Sequence, residues 1–184
     1  KLVQNDLIDD FIIYVNKNNV SLSTEIESSF FETNSFLEPY RSVSMIEYSA
    51  FFGSIKIFRY LLQNKIEWEK SLWFFAIHSN NAEMIHILEE NQIIPQDNTF
   101  HQCLSESIKC FHNEIAYYIY DNHLQASKLY NYEDELIENY NIEFLNENII
   151  ESNDSFGLIC HYDYLSFVKI LINNSEVLIN EREY

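Results

Sequence analysis

Residues 44–70, SMIEYSAFFGSIKIFRYLLQNKIEWEK, are repeated in outline by residues 71–98, SLWFFAIHSNNAEMIHILEENQIIPQDN. A shift of 27 residues sets Met45 on Leu72, Tyr48 on Phe75, Ser49 and Ala50 on Ala76 and Ile77, and Gly53 on Asn80. It also sets Ile57 on Met84, Phe58 on Ile85 and Leu61 on Leu88. Each copy reads as a short helix, a tight turn and a longer amphipathic helix. Such a pair cannot bury both of its faces alone, so the pattern calls for stacked neighbours sharing one core.

Two further copies follow the same register. In residues 99–127, Leu104 falls on Ile46, Ser107 and Ile108 on Ser49 and Ala50, and Ile115 and Ile119 on Ile57 and Leu61. In residues 154–184, Phe156 falls on Ile46, Ile159 and Cys160 on the small pair, Leu165 on Ile55, and Phe167 and Val168 on Ile57 and Phe58. Residues 128–153 fit poorly and read as a degenerate copy, with Leu136, Ile137, Ile142, Phe144 and Leu145 placeable on the pattern.

The small residues of the first helix, Ser49, Ala50, Ala76 and Ser107, allow close helix approach. Ser44, Ser71 and Asp154 stand where an N-cap is needed. Gly53 and Asn80 suit a left-handed turn residue, whereas Phe111 and Asp163 depart from that chemistry. Ahead of the repeats, residues 5–15 predict a helix with Leu7, Ile8, Phe11, Ile12 and Val15 on one stripe. Residues 24–31 predict a second helix capped by Ser23 or Thr24, and residues 34–43, with Pro39, predict a loop. Together, residues 1–43 read as an N-terminal helical cap. With 2 Gly and 2 Pro in 184 residues the chain has too few breakers for a sandwich or barrel, so the expected fold class is all-α.

The stretch from Ser44 to Leu62, S-M-I-E-Y-S-A-F-F-G-S-I-K-I-F-R-Y-L-L, resembles the ankyrin-repeat pattern T-P-L-H-x-A-A-x-x-G-H-x-E-I-V-x-x-L-L. The small pair, the Gly, the apolar pair and the final leucines match, while the Pro and His of the signature appear in no copy. EYSAFFGSIKIFRYL, SLWFFAIHSNNAEMIHILEEN and ESIKCFHNEIAYYI further resemble an uncharacterised ankyrin-associated domain expanded in ankyrin-repeat families of parasitic protists, over roughly residues 1–125. The resemblance implies an ankyrin-like helix-pair solenoid with divergent repeats over residues 44–184, without catalysis, serving protein–protein recognition as a scaffold or adaptor. Carried over from the concave face of such arrays, the partner-binding residues would be Tyr48, Phe51, Phe52, Phe75, His78, Ser79, Glu106, Lys109, Leu158, His161 and Tyr162, with Trp68 in an inter-repeat loop; core or inter-repeat packing is the other reading of the aromatics among them.

The formal charge of −18 repels phosphate backbones and anionic lipid, so the expected partner is another protein of basic character rather than nucleic acid or membrane. No run of 18 uncharged apolar residues occurs and Lys1 opens no signal-like apolar stretch. The three cysteines make no disulfide framework, and an intracellular, cytoplasmic location is expected.

The residues that could carry chemistry have bland readings. Cys103 and Cys110, with His101 and His112 nearby, match no metal-ligand spacing and read, like Cys160, as buried structural cysteines. His78, His86 and His161 have no orienting partner that spacing can place. Glu89–Glu90 and Glu133–Asp134–Glu135 read as solvated acid runs, and no Gly-rich phosphate loop or G-x-S-x-G is present. No catalytic residue, metal or cofactor is expected. Two other functions fit the same features: a structural subunit built permanently into an assembly, and an acidic inhibitor or regulator of an enzyme.

Overall fold

A computed structural model describes residues 1–27, 34–37, 42–124, 132–141, 153–166, 168 and 169. Helix predominates: α1 (Ile8–Asn18), α2 (Met45–Phe51), α3 (Ile55–Gln63), α4 (Leu72–His78), α5 (Ala82–Glu90), α6 (His101–Lys109), α7 (Asn113–His123), α8 (Glu133–Glu138) and α9 (Asn153–His161). A two-stranded antiparallel sheet joins β1 (Glu25–Glu27) to β2 (Ser42–Ser44), pairing Ile26 with Val43. The helix expected over residues 24–31 is therefore replaced at Glu25–Glu27 by a strand, and the expected loop ends in its partner. Pairing to β2 gives the Glu25–Glu27 backbone the hydrogen bonds that a helix would have supplied internally. The chain forms two compact units, Lys1–Cys103 and Leu104–Tyr184, with the boundary inside α6.

Burial follows the repeat register. Ile46, Ser49, Ala50, Leu72, Ala76, Ile77, Leu104, Ser107 and Ile108 are all buried on the first helices. Ile57, Phe58, Leu61, Met84, Ile85, Leu88, Ile115, Ala116 and Ile119 are buried on the second. In the first unit α2 packs along α4, first helix to first helix, which is where the small pair Ser49–Ala50 permits close approach. In the second unit α8 packs against α9 around Ile137 and Ile159. Cys160 departs from its expected core position and is exposed, whereas Cys103 is buried. The Cys160 carbonyl accepts from the Asp163 N–H at 3.3 Å in the turn that closes α9.

One turn recurs after each described first helix. Gly53 takes φ +63°; its N–H donates to Ala50 C=O at 3.0 Å and the Ser54 N–H to Ser49 C=O at 2.9 Å. This is the Schellman closure, which satisfies two carbonyls left over at a helix end. Phe111 and His112 repeat it onto Ile108 and Ser107, Tyr140 and Asn141 onto Ile137 and Leu136, and Asp163 and Tyr164 onto Cys160 and Ile159. Their φ values, +59°, +59° and +62°, show that Phe111 and Asp163 adopt the glycine geometry in spite of their chemistry. Asn80 (φ +49°) keeps the first bond; a hydroxyl relay replaces the second, with Asn81 N–H donating to Ser79 Oγ and Ser79 Oγ–H to Ala76 C=O.

The helix starts are capped from several sources. Ser44 and Glu47 form a capping box at α2: Glu47 N–H donates to Ser44 Oγ at 3.3 Å and Ser44 N–H to Glu47 Oε2 at 3.1 Å. Ser71 does not cap α4; its hydroxyl donates instead to Glu47 Oε1 at 2.9 Å, so one carboxylate ties the starts of two adjacent copies. Asn5 does not cap α1, which starts at Ile8 without a side-chain cap. Asp6 serves α3 instead, accepting from Lys56 N–H and Ile57 N–H, each at 3.0 Å. Among the described residues no helix is long and apolar enough to cross a membrane.

Candidate functional site

The aromatic face expected on α2 and α4 is covered by the chain itself. Asn34 Oδ1 accepts from Phe36 N–H at 2.9 Å and from Leu37 N–H at 3.3 Å, a side-chain turn that sets both apolar residues against the helices. The Phe36 ring lies parallel to Phe51 (5.8 Å, 4°), edge-on to Phe75 (5.0 Å, 77°) and stacked on His78 (3.8 Å, 29°). Phe51 and Phe75 are consequently 8 % and 1 % exposed, so these two residues are core and not surface anchors. Residues 34–37 carry no helical periodicity, so sequence reasoning gave Phe36 no role; its single signal was an isolated Phe-Leu pair in a polar stretch.

At the margin of this cluster Phe52 stays half-buried, edge-on to Phe51 at 5.0 Å and tilted against Tyr48 at 4.7 Å. The Tyr48 hydroxyl accepts from Gln4 Nε2 at 2.8 Å. His78 is half-buried beside Phe36. Ser79, half-buried, spends its hydroxyl donor and one lone pair on the turn relay. The structure thus brings Tyr48, Phe51, Phe52, Phe75 and His78 together, with only part of that set reaching solvent.

Trp68 stands apart from this cluster, 43 % exposed in the loop between α3 and α4. It forms the common wall of two open grooves. One, of about 470 Å³, is lined by Leu62, Lys65, Ile66, Glu67 and Trp68. The other, of about 340 Å³, is lined by Trp68, Glu69, Lys70, Ser71 and Gln96. The second tryptophan, Trp73, is buried; it donates from Nε1 to Ile93 C=O at 2.8 Å and meets Phe100 edge-on at 5.0 Å.

In the second unit Glu106 and Lys109 lie on α6, half-buried and exposed. Leu158 and Tyr162 pack on the Ile137–Ile159 core, while His161 is exposed and meets Tyr162 edge-on at 5.0 Å. Burial pushes the Cys110 thiol up to about 12, the Glu106 carboxylate adds to the effect and Lys109 offsets part of it. With no metal beside it, that thiol is mostly protonated at neutral pH, which makes it a weak nucleophile. His86 is exposed with Nδ1 at 3.2 Å from Glu89, an i,i+3 pair on the outer side of α5.

The chain matches no family model, no curated protein and no solved structure in the comparisons made with it.

Proposed function

We propose that the chain is a protein-recognition module, built from divergent ankyrin-like helix pairs, that binds a basic partner segment through its inter-repeat loop at Trp68 and, separately, the aromatic margin of the α2–α4 face. The observation that carries this reading is Trp68. Nearly half of a large indole is left exposed where it walls two grooves, and tryptophan is among the residue types most enriched as binding anchors. The repetition of helix pairs, the close α2–α4 packing and the recurring turn support the ankyrin-like assignment. The formal charge of −18 favours basic segments and speeds their encounter. Tyr48, Phe52 and His78 supply an aromatic margin, while Phe51 and Phe75 support it from beneath.

Random-peptide display against the immobilised chain tests the proposal. Recovered peptides should be enriched in Lys and Arg, and Trp68→Ser should weaken them about tenfold or more, as removal of an anchor does. Recovery of acidic peptides, or of peptides indifferent to Trp68→Ser, would overturn it.

A further inference from the structure

We infer that the turn edge of the second unit, formed by Phe111, Tyr140 and Tyr164, is a preformed binding strip for arginine side chains of a basic segment; this deepens the recognition function proposed above and rests on its basic partner. The first observation is conformational. Phe111 and Tyr140 occupy the left-handed position of the Schellman turn, where a bulky side chain is disfavoured and where other copies place Gly53, Asn80 and Asp163. Turn closure depends on backbone bonds alone, so it does not require a ring at either place.

The second observation is exposure. Phe111 and Tyr140 are each 55 % exposed, so burial does not explain the rings either. Lys65 and Gln92 take the same left-handed turn position after α3 and α5, so what sets Phe111 and Tyr140 apart is a large apolar ring left exposed there.

The third is placement. Asn141, fully buried, donates from Nδ2 to Ile108 C=O at 2.9 Å and to Asn113 Oδ1 at 2.7 Å, which fastens the Tyr140 turn beside the Phe111 turn. Tyr140 stacks on Tyr164 at 4.8 Å and 29°, and the Tyr164 hydroxyl donates to Ile137 C=O at 2.8 Å, which holds that pair in place. The Tyr140 and Tyr164 rings are therefore ordered before any partner arrives, which lowers the entropy cost of using them.

Charge selects the occupant. Exposed Glu114, Glu138 and Asp163 lie on the same turns and helix ends, against Lys109, and the unit as a whole carries 15 acidic and 4 basic residues. Ring faces beside carboxylates suit a guanidinium, which stacks on an aromatic plane while its N–H groups reach acids at the edge.

The test uses the full chain and a short fluorescein-labelled peptide of alternating Arg and Gly, read by fluorescence anisotropy at low salt. Phe111→Gly with Tyr140→Gly leaves the formal charge unchanged, so it separates ring contacts from general attraction. The double variant should bind about tenfold more weakly than the intact chain, a difference of about 1.4 kcal/mol. Phe111→Gly alone should bind about threefold more weakly, with an unfolding midpoint equal to or above that of the intact chain. Equal binding by intact chain and variants would overturn the aromatic strip while leaving a basic partner in place. Loss of folding in Phe111→Gly would overturn it too, by showing that the ring is packing. Absence of any binding by the intact chain would overturn the basic partner together with the strip.

Discussion

Gly53→Ala and Gly157→Ala change the same atom in the same direction and should have opposite effects. At Gly53 (φ +63°) a Cβ enters the left-handed region, which costs an L residue about 1–2 kcal/mol. The new Cβ would also stand 3.3 Å from Asn81 Nδ2. Asn81 caps α5 by accepting from Glu83 N–H at 2.9 Å, a bond worth about 1 kcal/mol that a displaced side chain would weaken. Restricting the unfolded chain returns about 0.4–1 kcal/mol. The net expectation is a loss of about 1–2 kcal/mol. Gly157 lies inside α9 with nothing within 4 Å of a built Cβ, so alanine there should gain about 0.4–1 kcal/mol. Both tryptophans, Trp68 and Trp73, belong to the first unit, so urea unfolding followed by tryptophan fluorescence reads Gly53→Ala, while far-UV circular dichroism reads Gly157→Ala. With an m-value of about 2 kcal/mol/M, Gly53→Ala should lower the midpoint by about 0.5–1 M. An unchanged or raised midpoint would refute the strain argument.

Other perturbations test separate parts of the account. Asp6→Ala removes both acceptors at the start of α3 and should cost about 1–2 kcal/mol, with Asp6→Asn costing less; equal stability of all three would show that water caps α3 as well. Phe36→Ala should cost the first unit about 2 kcal/mol in urea unfolding, because it uncovers Phe51 and Phe75; a change within about 0.5 kcal/mol would show that the cover is dispensable. Asp97 is pushed up by partial burial but pulled down further by hydrogen bonds from Thr99 Oγ1 and from the N–H groups of Gln102, Thr99 and Phe100, leaving its carboxyl below the usual aspartate range. A depressed folded value adds stability above the unfolded value, and that contribution is lost as pH falls through the folded value. The stability gap between the intact chain and Asp97→Asn should therefore shrink as pH drops from about 5 to about 2; a gap constant with pH would contradict the assignment.

Much of the fold was readable because the repeat register fixes which side chains are equivalent, and equivalent side chains share a burial state, as Ile46, Trp73 and Leu104 do. The left-handed turns at Phe111 and Tyr140 were not readable from residue chemistry, since propensity favours Gly or Asn there, yet the backbone closes the same bonds. The strand at Glu25–Glu27 escaped because its partner Ser42–Ser44 lies beyond any local window. At the candidate site, helix position correctly grouped Tyr48, Phe51, Phe52, Phe75 and His78. It could not reveal that Phe36, from outside the repeats, covers the centre of that group. Nor could it reveal the turn bonds of the Ser79 hydroxyl, which side-chain spacing does not encode.

The most direct test of the recognition function is the dissociation constant of one display-selected basic peptide for the intact chain and for Trp68→Ser, each measured by titration calorimetry at about 50 and about 200 mM salt. The account predicts binding that weakens with salt and drops about tenfold or more on loss of Trp68, with both proteins melting at the same temperature. Equal affinities for the two proteins would contradict it.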